Sequence, residues 1–281
     1  MKSLMLFDLN NLLIRGMAKL PYLSYNGVFT SGVFGLLNQM AKYILIHKPD
    51  NVIFCCDYPP YKRRQLFPNY KNRTKERTIE QEEFFTNVSI SRAMCIDMLE
   101  KISIPVYSIK GYEADDIMAK IIKDKHKLYE RIIIVGNDSD LFQLLQYRNV
   151  CIDRGKQGMY SYDQFKKDFG IEPEEWVEIL SLAGSHNAVP PIKKGIGERT
   201  AIKIFKDKRE FNAILSEFKN EIELRRRLAV LPFDDFCLPY PTFKKAPYSI
   251  KAFQIWLERK FGIRFSSNLE RMYKVIFKSI K

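Results

Sequence analysis

The chain has 281 residues, 46% of them hydrophobic, and carries 46 Lys and Arg against 33 Asp and Glu, a net charge of +13. That length supports one large or two modest domains with a proper core, and the charge points to a polyanionic partner, nucleic acid or an anionic surface. Five cysteines, none spaced as a zinc knuckle, exclude a cysteine-based metal module, and the Cys55-Cys56 pair reads as small, reduced strand residues. The apolar stretch before Asp8 is too short for a signal peptide, and no apolar run reaches 18 residues, so a cytoplasmic protein that neither leaves the cell nor spans a membrane is expected.

In chain order, the apolar runs at 4–7, 52–56, 105–109 and 132–135 have the character of buried parallel strands. Helical spacing fills 33–46 and 117–128 between them. Strand alternating with helix predicts an α/β fold with a mostly parallel central sheet flanked by helices. From about residue 171 helical patterns take over, at 172–183, 197–206 and 211–228, broken by Pro190-Pro191, Gly195 and Gly197. An irregular Pro/Tyr-rich stretch at 238–248, a last helix at 251–261 and a basic tail complete the chain.

Three apolar runs finish in aspartate: Asp8, Asp57 and, after Gly136-Asn137, Asp138, with Asp140 two residues on. A fourth acidic group, Glu113-Ala-Asp115-Asp116, follows another strand and opens a helix. Ligands of an open α/β sheet bind in the crevice beyond the carboxyl ends of the strands. A single aspartate there is an ordinary helix cap, and acidic residues opening a helix complement its dipole. Four such groups at one edge mean something else. Two carboxylates ~4 Å apart repel by about 4 kcal/mol at an effective dielectric near 20, so their pKa values must rise or divalent cations must neutralise them. Oxygen ligands without His or Cys favour Mg²⁺ or Mn²⁺.

The ordered set resembles the flap endonuclease/5′→3′ exonuclease family, which includes stand-alone phage enzymes and the 5′-nuclease domains of bacterial DNA polymerase I. Its elements are Phe7-Asp8 through Arg15, then Asp57 followed by Lys62-Arg63-Arg64 and Pro68-Asn-Tyr70-Lys71-Asn-Arg73. Gly111-Tyr-Glu113-Ala-Asp115-Asp116, Gly136-Asn-Asp138-Ser-Asp140 and Gly195-Ile-Gly197-Glu-Arg199-Thr200 follow in the family's order. Length and the lack of a polymerase sequence place it nearer the phage branch. The resemblance implies a two-metal phosphodiesterase. Asp8, Asp57, Glu113 and Asp115 would surround a first ion; Asp138 and Asp140, with Asp116 nearby, a second. Lys71 would contact the scissile phosphate, Tyr70 would stack on a displaced base, Arg73 would clamp a phosphate and Arg15 would bind DNA. It also implies a PIN-like nuclease core at 1–170 with a basic helical arch at 61–102, and a helix-hairpin-helix region with a C-terminal tail at 171–281.

The family usually reads Gly-Asp-x-x-Asp-Asn-Ile-Pro-Gly-Val before the glycine hairpin, where this chain has Gly184-Ser185-His186-Asn187-Ala188-Val189-Pro190-Pro191-Ile192. Both aspartates are missing. One well-formed metal site and a weakened second are therefore expected; His186 is a candidate substitute, but a loop histidine beside two prolines is more often a solvated or hydrogen-bonded residue.

Cations cluster in two places. Lys62, Arg63 and Arg64 with Lys71 and Arg73 interleave with Tyr61, Phe67 and Tyr70, which suits a single strand. Lys193, Lys194, Arg199 and Lys203 flank Gly195 and Gly197, whose backbone can approach a phosphate at a helix N-terminus. By the resemblance, that hairpin grips duplex DNA and holds a K⁺ ion. The expected partner is DNA with 5′ single-stranded arms, nicks or ends, or RNA primers on DNA, bound by a monomer with no membrane role. The competing reading is a structure-specific DNA-binding protein that has lost cleavage along with the second-site aspartates.

Overall fold

The computed structural model describes every residue except 1, 21, 73–76, 186–188, 240, 242, 244–248 and 279–281, and the side chains of 277 and 278. Its elements in order are β1 (Ser3–Asp8), α1 (Leu9–Met17), a small hairpin of β2 (Ser24–Tyr25) and β3 (Val28–Phe29), α2 (Ser31–His47), β4 (Asn51–Cys56) and α3 (Arg63–Leu66). There follow α4 (Ile79–Lys101), β5 (Val106–Ser108), α5 (Ala114–Lys125), β6 (Arg131–Val135), a 3-10 stretch at Ser139–Gln146, β7 (Val150–Asp153), β8 (Met159–Tyr160) and α6 (Tyr162–Phe169). The helices α7 (Trp176–Ala183), α8 (Glu198–Lys206), α9 (Lys208–Glu217), α10 (Lys219–Ala229), α11 (Ile250–Phe261) and α12 (Ser267–Lys278) complete it.

Six strands form the sheet, in the order β5-β4-β1-β6-β7-β8, parallel except for the antiparallel β8 at one edge. The continuous apolar runs exist because the central strands are covered on both faces. Leu4, Leu6, Ile53, Cys55, Ile132 and Ile134 enter one core with α5, α7 and α8. Met5, Phe7, Phe54, Ile133 and Val135 enter another with α1, α2 and α4. Strand alternation delivers neighbouring residues to opposite faces, so every position in these runs is apolar.

Packing runs on across residue 170. Trp176, Ile179 and Ile204 belong to the same core as Ile117 and Ile134. Beyond the irregular stretch, α11 and α12 return to the opposite face, where Phe253, Leu257, Phe261, Leu269 and Met272 pack with α1, α2 and α4. The expected basic tail is thus an amphipathic helix. The single helix expected over 211–228 is two, separated at Phe218, the C-cap of α9. The residues just before the Pro/Tyr-rich stretch lie against α5 and the turn that leads into it: Phe236 stacks on Tyr112 at 4.0 Å between centroids, and Lys120 pairs with Asp235 at 2.7 Å.

A capping box of Thr78 and Gln81 starts α4, whose Val88, Cys95, Met98 and Leu99 are buried while Ile79 is 87% exposed. The helix thus rests on the core by its later turns and stands away from it at its start. The basic segment leading into it, including Arg73, falls partly outside the described residues. Cys55, Cys56 and Cys95 are buried as expected; Cys237 is exposed, and all five thiols are free.

Candidate active site

Parallel strands β1, β4 and β6 all point their carboxyl ends the same way, so the residues that follow them share one edge. There a cleft of about 900 Å³ is lined by Asp57, Glu113, Asp115, Asp138 and Asp140 among others. Each group also performs local work. Asp8 caps α1, its Oδ1 accepting from Asn11 N–H at 3.0 Å. Asp138 caps the 3-10 stretch by accepting from Asp140 N–H at 3.1 Å. Asp57 Oδ1 accepts from Ala114 N–H at 2.8 Å, which ties the end of β4 to the start of α5. Glu113 and Asp116 form a capping box at that same helix start. Capping and convergence are therefore one arrangement, because the caps fix the carboxylates to the sheet edge.

Charge crowding follows. Burial and then the Asp57 carboxylate push Asp8 up to about 7. Burial and then Asp138 push Asp140 up to about 7. Asp115 is raised well above the carboxylate range by burial, then by Asp138 and Asp8, so it couples the two sets. The chemistry of this donor set fits hard divalent cations, since carboxylates that disfavour their own charge gain it back against a metal. The geometry is less complete. Among the described residues no three His, Cys, Asp or Glu side chains close around one point. The first set is not the finished cage expected, because the Lys71 ammonium lies on Glu113 Oε1.

Several expected roles need correction. Arg63 does not face DNA. It is 3% exposed, and its guanidinium donates to Asp116 at 2.6 and 2.9 Å, to Glu113 Oε2 at 2.9 Å and to the Leu228 carbonyl at 2.9 Å. Asp116 is fully buried, and beyond Arg63 its oxygens accept from the Glu113 and Phe233 amides at 3.1 and 2.9 Å. With its lone pairs so engaged, Asp116 anchors α5 rather than joining the exposed carboxylates. Tyr70 is also buried: its hydroxyl donates to Glu113 Oε2 at 2.8 Å and its ring packs with Val189 and Leu228, so it offers no face to a base. Lys62 donates to the Tyr112 hydroxyl and reaches Asp234 at 3.5 Å. Arg64 lines the cleft and donates to the Tyr70 carbonyl at 3.1 Å. Burial would pull the Lys71 ammonium down, but Glu113, Tyr70 and Asp57 together hold it above the usual lysine value.

Of the loop lacking its aspartates, Gly184 and Ser185 border the cleft, with Ser185 N–H donating to the Val189 carbonyl at 3.0 Å. His186 lies outside the described residues, as does Arg73. Beyond the loop, α7 and α8 pack together, joined through Gly195 at φ +90 and Gly197, the N-cap of α8. Arg199, Thr200, Lys203 and Lys194 are exposed there, while Lys193 pairs with Glu217 at 2.8 Å. Arg15 sits on α1, its Nη2 donating to the Tyr43 hydroxyl at 3.3 Å.

Two residues escaped the sequence reading. Glu198, beside the hairpin, reaches the second set and accepts from Ser139 Oγ at 2.6 Å. Arg154 borders the cleft after β7, another apolar strand finishing in aspartate. That Asp153 is no site residue, since His47 Nε2 at 2.6 Å and the Gly155 amide at 2.7 Å engage it. A fourth strand with the same ending was the signal available for Arg154.

Residues 3–170, more than half of the chain, match the family described as 5′-3′ exonuclease, N-terminal resolvase-like domain. A 5′-3′ exonuclease of Aquifex aeolicus is 26% identical over 246 residues, covering 87% of this chain and 82% of that protein. DNA polymerase I of Caldicellulosiruptor bescii is 25% identical over 244 residues, covering 82% of this chain but 28% of the polymerase, so the chain spans under a third of that relative. A bacteriophage T5 flap endonuclease, solved as a pseudo-enzyme–product complex with DNA and metal ions, shares the fold with a TM-score of 0.69 at 17% identity, over 99% of each chain. With its acidic edge formed by β1, β4 and β6 and the matched region covering all of them, the chain belongs to the 5′-3′ exonuclease family.

Proposed function

We propose that the chain hydrolyses phosphodiester bonds near the 5′ ends of DNA, as a 5′→3′ exonuclease and flap endonuclease, with Mg²⁺ or Mn²⁺ at the acidic edge. One observation carries this reading: carboxylates from separate elements share a cleft in which burial and mutual repulsion raise Asp8, Asp115 and Asp140. The relative named for 5′-3′ exonuclease activity and the phage flap endonuclease solved with DNA and metal ions support it.

Asp8, Asp57, Glu113 and Asp115 would hold one cation, and Asp138 and Asp140 a second, more weakly bound one. Bound there, divalent cations acidify water and stabilise charge on the reacting phosphate. The protein's own groups do the rest. Lys71, once exchanged from Glu113 to substrate, sets a positive charge against the phosphate. Arg63 and Tyr70 keep Glu113 aimed at the cleft while it changes partner. The exposed hairpin cations Lys194, Arg199 and Lys203 would grip duplex phosphates without reading sequence, and the hairpin carbonyls could take a K⁺ ion. A 5′ single-stranded arm, a nick or an RNA primer on DNA would then be chosen by shape. One chain supplies every group, so the enzyme works as a monomer in this reading.

The test is a 5′-labelled flap and a nicked duplex incubated with Mg²⁺, Mn²⁺ or EDTA, beside Asp138→Ala. Cleavage with either cation, none in EDTA, and a loss on the order of a hundredfold or more in the variant are expected. DNA bound but uncut in every metal would replace this reading with the DNA-binding one.

A further inference from the structure

The 3-10 turn that carries Asp138 and Asp140 is held from two sides. Behind it, Gln143 Nε2 donates to the Asp140 carbonyl at 2.8 Å and to the Ala229 carbonyl at 3.1 Å, while its Oε1 accepts from the Leu231 amide at 2.8 Å. That support comes from the end of α10 and the chain beyond it. In front, Ser139, the residue between the two aspartates, donates from Oγ to Glu198 Oε1 at 2.6 Å. Glu198 is the first residue of α8, the helix on which Arg199, Thr200 and Lys203 are exposed.

Glu198 does not do what an acidic residue at a helix start ordinarily does. Such a carboxylate complements the helix dipole and accepts from the leading amides. The next helix shows the ordinary case: Asp207 caps α9 by accepting from the Arg209 and Glu210 amides at 3.0 and 3.2 Å. The N-cap of α8 is Gly197, and among the described residues no side chain caps that helix. A Cβ at Gly195 or Gly197 would meet nothing within 4 Å, so the backbone there is approachable. One hydrogen bond thus has two effects. It keeps the Glu198 carboxylate off amides that suit a phosphate, and it ties the turn between the two aspartates to α8. Ala201, Ile202, Ile204 and Phe205 bury the other face of α8, and a close-packed face passes a displacement on rather than absorbing it.

We propose that Glu198 is a positioning residue that couples the duplex grip to the second carboxylate set. Seating of duplex phosphates on α8 and divalent-cation binding at Asp138 and Asp140 strengthen one another through Ser139. The loop that lacks its aspartates, 184–192, brings no carboxylate to this turn, which leaves the hairpin helix to order it from the front. The proposal rests on the nuclease reading and on the hairpin as the duplex grip. Such coupling is reciprocal, so it can be read from the metal side.

Three variants separate contact from charge. Ser139→Ala removes the donor, Glu198→Asp keeps the charge but is one methylene shorter, and Glu198→Gln loses the charge and keeps the acceptor. Both positions are half-buried at the cleft, so all three should fold. Mn²⁺ binding is followed by electron paramagnetic resonance of the free ion, without DNA and with a saturating dumbbell duplex. The dumbbell is closed at both ends and offers no 5′ end to cut. In the parent the duplex should tighten the weaker Mn²⁺ site on the order of fivefold. Ser139→Ala and Glu198→Asp should lose that tightening, and Glu198→Gln should retain it. A parent without the tightening, a Ser139→Ala or Glu198→Asp protein that keeps it, or a Glu198→Gln protein that loses it would each overturn the proposal. Cleavage of a 5′-labelled flap is followed in parallel. A flap cut by a parent that shows no tightening sinks the coupling alone, whereas tightening with the flap left uncut sinks the nuclease reading alone.

Discussion

Asp57, Glu113 and Asp115 stand around the start of α5, where Arg63 and Lys71 hold Glu113, whereas Asp138 and Asp140 share one turn and line the same cleft as Ser185. In the first set Arg63, Tyr70 and Lys71 all reach Glu113, and the Asp57 carboxylate takes the Ala114 amide. In the second, one backbone amide and the nearby Glu198 are the ordering groups. The difference teaches where each set's geometry comes from. The first is imposed by a buried ion-pair network that also anchors the chain after α10; the second is ordered by its own turn. Asp115 feels both, raised by burial and then by Asp138 and Asp8.

Removing the network should break the comparison most sharply. Arg63→Ala leaves Asp116 and part of Glu113 buried without their cation and should cost about 3–5 kcal/mol, read as a lowered denaturation midpoint. It should also weaken activity through the first set. A variant as stable as the parent would show that Arg63 is not what holds α3 and the segment after α10 to α5.

A pH series compares the sets under one variable. Asp8 and Asp140, raised to about 7 from an ordinary carboxylate value of 3.8, bind more protons folded than unfolded between those pH values. Metal-free stability should therefore fall as pH rises from about 4 to about 7 and flatten above, the opposite of an ion-paired carboxylate. The stabilisation added by Mg²⁺ should grow across the same window, because the ligands must be deprotonated. Thermal melts with and without Mg²⁺ decide it, and a metal-free midpoint that climbs through this range would contradict the crowding.

The smallest effect sharpens the second set. Ser185→Asp returns an acidic side chain to the loop at the cleft and should tighten the divalent-cation requirement of cleavage roughly tenfold, leaving single-turnover chemistry at saturating metal little changed. An unchanged metal titration would mean that Ser185 does not face the second cation.

Much of this was legible in the chain. The runs ending at Asp8, Asp57 and Asp138 specify buried parallel strands, and parallel strands put their carboxyl ends together, so convergence of the acids follows from pattern alone. The residues of the hairpin were legible because Gly195 and Gly197 mark a turn in any context. The missed pieces were those whose meaning depends on partners distant in sequence. Arg63 lies in a basic run that reads as a DNA grip, and only the approach of Leu228 and Val230, more than 160 residues on, encloses it. Tyr70 reads as a stacking aromatic until Val189 and Leu228 cover it. Asp153 repeats the strand-then-aspartate pattern, yet His47 claims it.

The sequence by itself thus determined four of the sheet's six strands and its acidic edge, because these rest on local periodicity and on strand direction, and its ordered motifs carried the resemblance to the family. Tertiary structure alone decided which charges meet water. Burial is a property of what packs on top, and here the covering pieces, the segment after α10 and the loop at Ser185, come from the far end of the chain. The acidic edge was visible from the start; that one of its members, Asp116, serves as an anchor became visible only once the chain was folded.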